Sequence, residues 1–153
     1  MAKDEISRIR NVRIVDAHLA TAGQPTEAQL AAIATDHYNV VINLALHDDP
    51  KYSLADEAAS VRALGMDYIH IPVIFNSPGT EQLTQFCDAM AANADRKVFV
   101  HCAANYRVTA FVGLYRVLRQ NWDQQQAFAL MRDVWQPDAT WMRFIDEALA
   151  AAP

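Results

Sequence analysis

The sequence predicts a three-layer α/β domain, with a mainly parallel sheet of four to five strands carrying helices on both faces. Three observations lead there. Short β-rich runs alternate with amphipathic stretches along the chain. The runs at 39–44 and 97–101 are apolar through their centres, as strands buried on both faces are. No repeat, low-complexity tract or Pro/Gly/Ser-rich linker interrupts the 153 residues, so a single domain spanning 1–153 is expected.

A first strand is expected at 12–15, followed by a turn at 21–25 around Gly23 and Pro25. Thr26 and Gln29 have the spacing of a capping box, opening a helix to about residue 36. After the strand at 39–44 comes a loop over 45–50. Ser53 is then placed to cap a helix that Gly65 ends in a left-handed residue. The run at 68–73 reads as a strand, with Pro72 marking its end or an edge. From Thr80, Leu83, Phe86, Cys87 and Met90 recur at helical spacing, so Cys87 is expected on the buried face. A strand at 97–101 leads through a short loop into a helix over 111–118. Asp123 with Gln126 forms another capping box, and Asp138 caps a last helix through Trp141, Phe144, Ile145 and Leu149.

Composition narrows the function classes. A hydrophobic share of 52% supplies one sizeable core. A formal net charge of -5 argues against nucleic-acid or anionic-lipid partners, so any anion site must be local. The first residues mix charges of both signs where a secretory signal would need an apolar stretch, and no later stretch suits a membrane span. A cytoplasmic setting is expected, with both cysteines reduced. His18, His37, His47 and His70 show no metal-ligand spacing with Asp, Glu or Cys, so neither metal nor cofactor is expected.

The chemistry concentrates in Val98-Phe-Val-His-Cys-Ala-Ala-Asn-Tyr-Arg107. Cys102 falls at the carboxyl end of a strand expected to be central, where α/β sheets collect ligands. The loop to Arg107 opens a helix whose first amides are unsatisfied and whose dipole favours negative charge. A helix N-terminus and a nearby cation favour the thiolate over the thiol. Arg107 adds a planar fork that matches two phosphate oxygens. Together these suit attack by sulfur on a phosphoryl group, whose equatorial charge the loop amides and guanidinium stabilise.

This segment resembles the signature of the cysteine-dependent protein tyrosine and dual-specificity phosphatases: a strand ending in His-Cys, a phosphate loop, Arg and a helix. The phrases Gly23-Gln-Pro25, Val41-Ile-Asn-Leu44, Ile69-His-Ile-Pro-Val73 and Val100-His-Cys-Ala-Ala-Asn-Tyr-Arg-Val-Thr-Ala-Phe111 are similar to those of bacterial phosphatase-like relatives of the DUF442 kind. The resemblance implies a protein tyrosine phosphatase-like fold and hydrolysis of a phosphoester, on a phosphoprotein or a phosphorylated small molecule, through a phosphocysteine at Cys102. It implies that the amides of Ala103, Ala104, Asn105, Tyr106 and Arg107 bind phosphate. His101 would orient the loop and favour the thiolate, and the Thr109 hydroxyl would assist the departure of sulfur.

Two departures from that pattern stand in the sequence. Four residues separate Cys102 from Arg107, where the well-known phosphatases have five, and the customary Gly is absent. The family's general acid is an Asp after the strand corresponding to 68–73, where this chain offers Asn76, which cannot protonate a leaving group. Asp49, with Asp48 as alternative, is the expected substitute.

Other readings remain open at this level. The loop, counted from Cys to Arg inclusive, has the length found in rhodanese-like sulfurtransferases, and a non-catalytic phosphate-binding module also fits Asn76 and the shortened loop. Gln24 is a candidate to line the cleft, and Trp135 or Trp141 a candidate to wall it. Cys87 is open as a disulfide partner of Cys102.

Overall fold

A computed structural model describes residues 1–48 and 53–152. A five-stranded sheet in the order β1-β2-β5-β3-β4 forms its centre. The strands are β1 (Arg13–Ile14), β2 (Leu19–Ala22), β3 (Val40–Asn43), β4 (Asp67–His70) and β5 (Val98–His101). All neighbours pair in parallel except β1, which runs antiparallel to β2. The expected architecture is therefore present, and β5 is central. Leu19 of β2 and Val40 of β3 both register with Val98.

Alternation along the strands divides the core into two layers. Val40, Ile42, Val98 and Val100 face one cluster, while Ala20, Ala22, Val41 and Phe99 face the other. The first cluster is closed by α4 (Thr80–Ala92), α5 (Tyr106–Gln120), α6 (Gln124–Ala127), α7 (Ala129–Val134) and α8 (Ala139–Ala150). The second is closed by α1 (Ala2–Ser7), α2 (Glu27–Thr35) and α3 (Glu57–Ala63). Leu83, Phe86, Cys87 and Met90 are the buried residues of α4, as their spacing predicts. Among the described residues, no helix is long and apolar enough to cross a membrane.

Local signals explain most of the boundaries. Thr26 and Gln29 form the expected capping box, and Asp138 accepts from the amide of Trp141 at 2.9 Å. Gly65 takes φ 85° after α3, a conformation that costs glycine little. Three readings are corrected. α3 is capped by Asp56, whose side chain accepts from the Ala59 amide at 3.1 Å, and not by Ser53. At Asp123 only the forward half of the capping box forms, onto the Gln126 amide, and the helix lasts four residues.

The third correction matters most for the site. The segment expected to begin a turn at Thr21 is still strand, since β2 runs to Ala22 and is buried throughout. Alanine and threonine give a weak strand signal by themselves; pairing with β5 and close approach to α1 and α2 decide the conformation. α1 likewise lacks an apolar stripe in the sequence and is held through Ile6.

Candidate active site

β5 ends at His101, and the strands on either side pin the residues that follow. The Leu44 amide donates to the His101 carbonyl at 2.9 Å, and the Cys102 amide to the Ala22 carbonyl at 3.2 Å. Cys102 is 1% exposed. The loop then crosses Gly23, which bridges Ala104. A Cβ on Gly23 would lie 2.5 Å from the Ala103 carbonyl oxygen, so this contact admits only glycine without movement.

Outward anchoring of the loop carbonyls arranges its amides. The Ala103 carbonyl accepts from the Gln24 amide at 3.1 Å, and that of Ala104 from Asn11 Nδ2 at 2.9 Å. Across a trans peptide the carbonyl and the next N–H point oppositely. The Ala104 N–H is thereby turned away from Gln24, toward the inside of the loop. Asn105 adopts φ 69°, supplying the left-handed residue that a glycine would otherwise provide. Its Nδ2 donates to the Asn11 carbonyl at 2.8 Å and to Thr21 Oγ1 at 3.0 Å. The first intrahelical bond of α5 runs from the Thr109 amide to the Asn105 carbonyl, so the N–H groups of Tyr106 to Val108 precede the ladder.

Arg107 is 8% exposed and is gripped by one end only. Its Nη1 donates to the Val73 carbonyl at 2.8 Å, while its buried Nε has no acceptor among the described residues. A cavity of about 220 Å³ is lined by Phe75, Cys102, Ala103, Ala104, Tyr106 and Arg107. Trp141 Nε1 donates to the Phe75 carbonyl at 2.7 Å, which fixes the segment after β4 over the loop. Trp135 stacks on Tyr106 and backs the aromatic wall instead of lining the cavity itself.

Thr109 is tied into the start of α5. Its hydroxyl donates toward the Asn105 and Tyr106 carbonyls, at 2.9 and 3.0 Å, and accepts from Trp135 Nε1 at 3.1 Å. The group is fully buried at the junction of loop and helix.

A residue that sequence reasoning missed lies beneath the loop. Glu57 and His101 are both fully buried, with Oε2 2.5 Å from Nε2. Gln24 Nε2 donates to the other carboxyl oxygen at 2.8 Å, so Gln24 supports Glu57 in place of the expected cleft position. Burial pushes the Glu57 carboxyl up, but the charge and hydrogen bond of His101, with the Gln24 amide, hold it below its ordinary value. His101 Nδ1 lies 3.2 Å from the Cys102 carbonyl. No spacing in the sequence signals this pair, since 44 positions separate its members.

Of the two acids expected after β3, one lies among the described residues. Asp48 is exposed at the end of a segment whose start is anchored beside the loop; Asp49 lies outside the described residues. Asn76 is exposed in the turn that carries Phe75. Among the described residues no group of three His, Cys, Asp or Glu side chains is placed to hold a metal.

Cys87 faces the far half of α5, where Arg119 and Tyr115 act on it electrostatically, and burial pushes its thiol up to about 11. Both cysteines are free thiols in the structure, and both are buried.

Residues 7–143 match the family described as DSP-PTPase phosphatase fused to NAD+ kinase. Among solved structures, a phosphatase-family protein (DUF442) of Shewanella putrefaciens CN-32 shares 31% identity, with 97% of each chain covered and a TM-score of 0.84. Tk-PTP in its active form shares the fold at 18% identity, covering 92% of this chain and 97% of its own, with a TM-score of 0.77. TpbA of P. aeruginosa does so at 20% identity, covering 94% and 86%, with a TM-score of 0.68, and it has also been solved in complex with pTyr. No curated protein matches. With a family match over most of its length, the chain belongs to the DSP-PTPase phosphatase family.

Proposed function

We propose that this protein hydrolyses phosphate monoesters, aryl phosphates such as phosphotyrosine in particular, through a phosphocysteine at Cys102. The observation that carries the reading is Arg107. Its guanidinium is held by the Val73 carbonyl, its buried Nε has no acceptor among the described residues, and the residue lines the cavity that Cys102 also lines. A buried donor left unpaired costs free energy, on the order of 1–3 kcal/mol, which an anionic oxygen would recover.

In the first step the Cys102 thiolate attacks phosphorus opposite the ester oxygen. The S–P bond forms as the P–O bond breaks, and the leaving oxygen takes a proton from an acid, for which we assign Asp49, with Asp48 as alternative. In the second step water attacks phosphorus while its proton passes to the carboxylate left by the first step, the P–S bond breaks, and inorganic phosphate leaves with the thiolate and the acid both restored. The amides of Ala103 to Arg107 and the Arg107 guanidinium stabilise the equatorial oxygens in both steps. Phe75 and Tyr106 give the cavity aromatic walls that suit an aryl group. The pTyr complex of TpbA is consistent with that substrate class. A cytoplasmic setting, where both thiols stay reduced, agrees with this chemistry.

The test is hydrolysis of p-nitrophenyl phosphate at mildly acidic pH by the wild type and by Cys102→Ser, with an early burst of phenol monitored. Activity lost with the sulfur supports the reading. A persulfide on Cys102 after thiosulfate treatment, without hydrolysis, would replace it by sulfur transfer, which the six-residue loop length favours. Phosphate binding without turnover in either protein would leave a binding module.

A further inference from the structure

Glu57 stands 44 positions before His101 and enters none of the chemical steps above. It is the first residue of α3, set by the Asp56 cap, and its carboxyl group is delivered beneath the Cys102 loop with no exposure at all. Burying a carboxylate is costly unless a cation and donors surround it. Here Gln24 Nε2 donates to one oxygen and the other lies 2.5 Å from the imidazole of His101.

The imidazole is caught between two acceptors. Nε2 faces the Glu57 carboxylate and Nδ1 faces the Cys102 carbonyl at 3.2 Å. A neutral ring has one N–H, so one of these contacts would set lone pair against lone pair; only the imidazolium satisfies both. With a proton on Nδ1, the ring donates to the Cys102 carbonyl. The Ala103 N–H, on the opposite side of that trans peptide, is then turned away from His101. In that arrangement the ring's hydrogen bond fixes the Cys102 carbonyl, and with it the direction of the Ala103 amide.

We propose that Glu57 is a positioning residue for Cys102: by keeping His101 doubly protonated, it holds the Cys102–Ala103 peptide in the orientation that favours the thiolate. This rests on the cysteine-phosphatase reading of the site. Because the Glu57–His101 pair has no net charge, it acts through the direction of the amide and not through a bare cation beside the sulfur. The other ionisable groups around the pair are His47 from the segment after β3 and Tyr68 and His70 from β4, while Arg107 approaches Cys102 from α5.

The test is the pH profile of Cys102 alkylation by iodoacetamide, located by peptide mapping, with thermal melting measured in parallel. Glu57→Gln retains an acceptor for Nε2 but removes the charge that compensates the second proton. Its profile is expected to move to higher pH by about one unit, a tenfold loss of thiolate below the midpoint. In a His101→Asn background the same substitution should add nothing. Gln24→Leu, which removes only the outer donor, should give a smaller displacement in the same direction.

A folded Glu57→Gln protein with an unmoved profile would overturn the proposal, whatever its melting temperature, and so would an effect that persists undiminished in His101→Asn. If Glu57→Gln does not fold, an unmoved profile for Gln24→Leu overturns it instead. Alkylation does not require turnover. Variants that show these displacements, beside a wild type that hydrolyses no aryl phosphate, would therefore sink the phosphatase reading and leave this one standing.

Discussion

Trp135 lies flat against Tyr106, with ring centroids 4.7 Å apart and planes 5° from parallel, and donates its indole N–H to Thr109. One side chain from the end of α7 thus braces both the aromatic wall of the cavity and the hydroxyl that closes the loop into α5. Removing the ring in Trp135→Ala should cost about 2–4 kcal/mol of stability through lost stacking, area and one hydrogen bond. It should also raise KM for aryl phosphates several-fold. Trp135→Phe, which keeps the stack and loses the bond, should restore KM more fully than stability. Denaturant melts and steady-state kinetics of the two variants check this.

Gly23 is expected to be intolerant of even one methyl group. The added carbon would meet the Ala103 carbonyl oxygen at 2.5 Å and the Arg10 carbonyl oxygen at 3.0 Å, both backbone atoms that cannot swing aside. Gly23→Ala should displace the loop and cost about 1–3 kcal/mol. The loss of phosphate affinity should exceed what the stability change accounts for at a temperature where the variant remains folded. Isothermal titration with inorganic phosphate reads that affinity directly.

Acid stability should depend on Glu57. Its carboxyl is held below the ordinary value in the folded chain, so its contribution is present above the unfolded-state value of about 4.3 and is lost as pH falls through the lower, folded value. The wild type should therefore lose stability steeply in that acidic window, and Glu57→Gln should show a flatter dependence there. Urea unfolding across a pH series gives both slopes.

Cys87 should be chemically silent at neutral pH. Burial pushes its thiol up to about 11, so the reactive thiolate is scarce until the solution is strongly alkaline. Brief alkylation near pH 7 should label Cys102 and spare Cys87. Cys87→Ala should retain wild-type turnover, and mild oxidation should produce no intramolecular disulfide detectable by non-reducing mass analysis.

The assignment of the general acid predicts a dependence on the leaving group. Asp49→Asn should slow phenyl phosphate and phosphotyrosine, whose phenolate needs a proton, by about 10²–10⁴-fold. It should change p-nitrophenyl phosphate far less, because that leaving group departs unprotonated. If Asp48 serves instead, the same selectivity follows Asp48→Asn. Equal losses for both substrates in both variants would exclude the segment after β3 as the source of the proton.

Much of this protein is legible along the chain, because the signals concerned are local. The caps at Thr26 and Asp138, the apolar face of α4 and the buried run of β5 each follow from residues within a few positions of one another. The segment from His101 to Arg107 announces its chemistry in the same way, since a strand end, a cysteine, an arginine and a helix start are contiguous. The absent glycine also has its answer in the sequence, once the structure shows that Asn105 takes the left-handed conformation.

What remained hidden depends on pairing across the sheet. β2 is made of residues with little strand preference, and only its position between β1 and β5 makes it a strand. Glu57 falls in the first turns of the helix expected after Ser53; a sheet in which β5 lies beside β3 brings it to His101. The Thr109 hydroxyl is taken by Trp135, 26 positions away. Sequence by itself determined the fold class and singled out the segment around Cys102 as the candidate site, because hydrophobic periodicity and a contiguous loop are one-dimensional patterns. Tertiary structure alone decided which buried polar groups meet, because each needs a partner when water is removed and the topology, not the spacing, selects it.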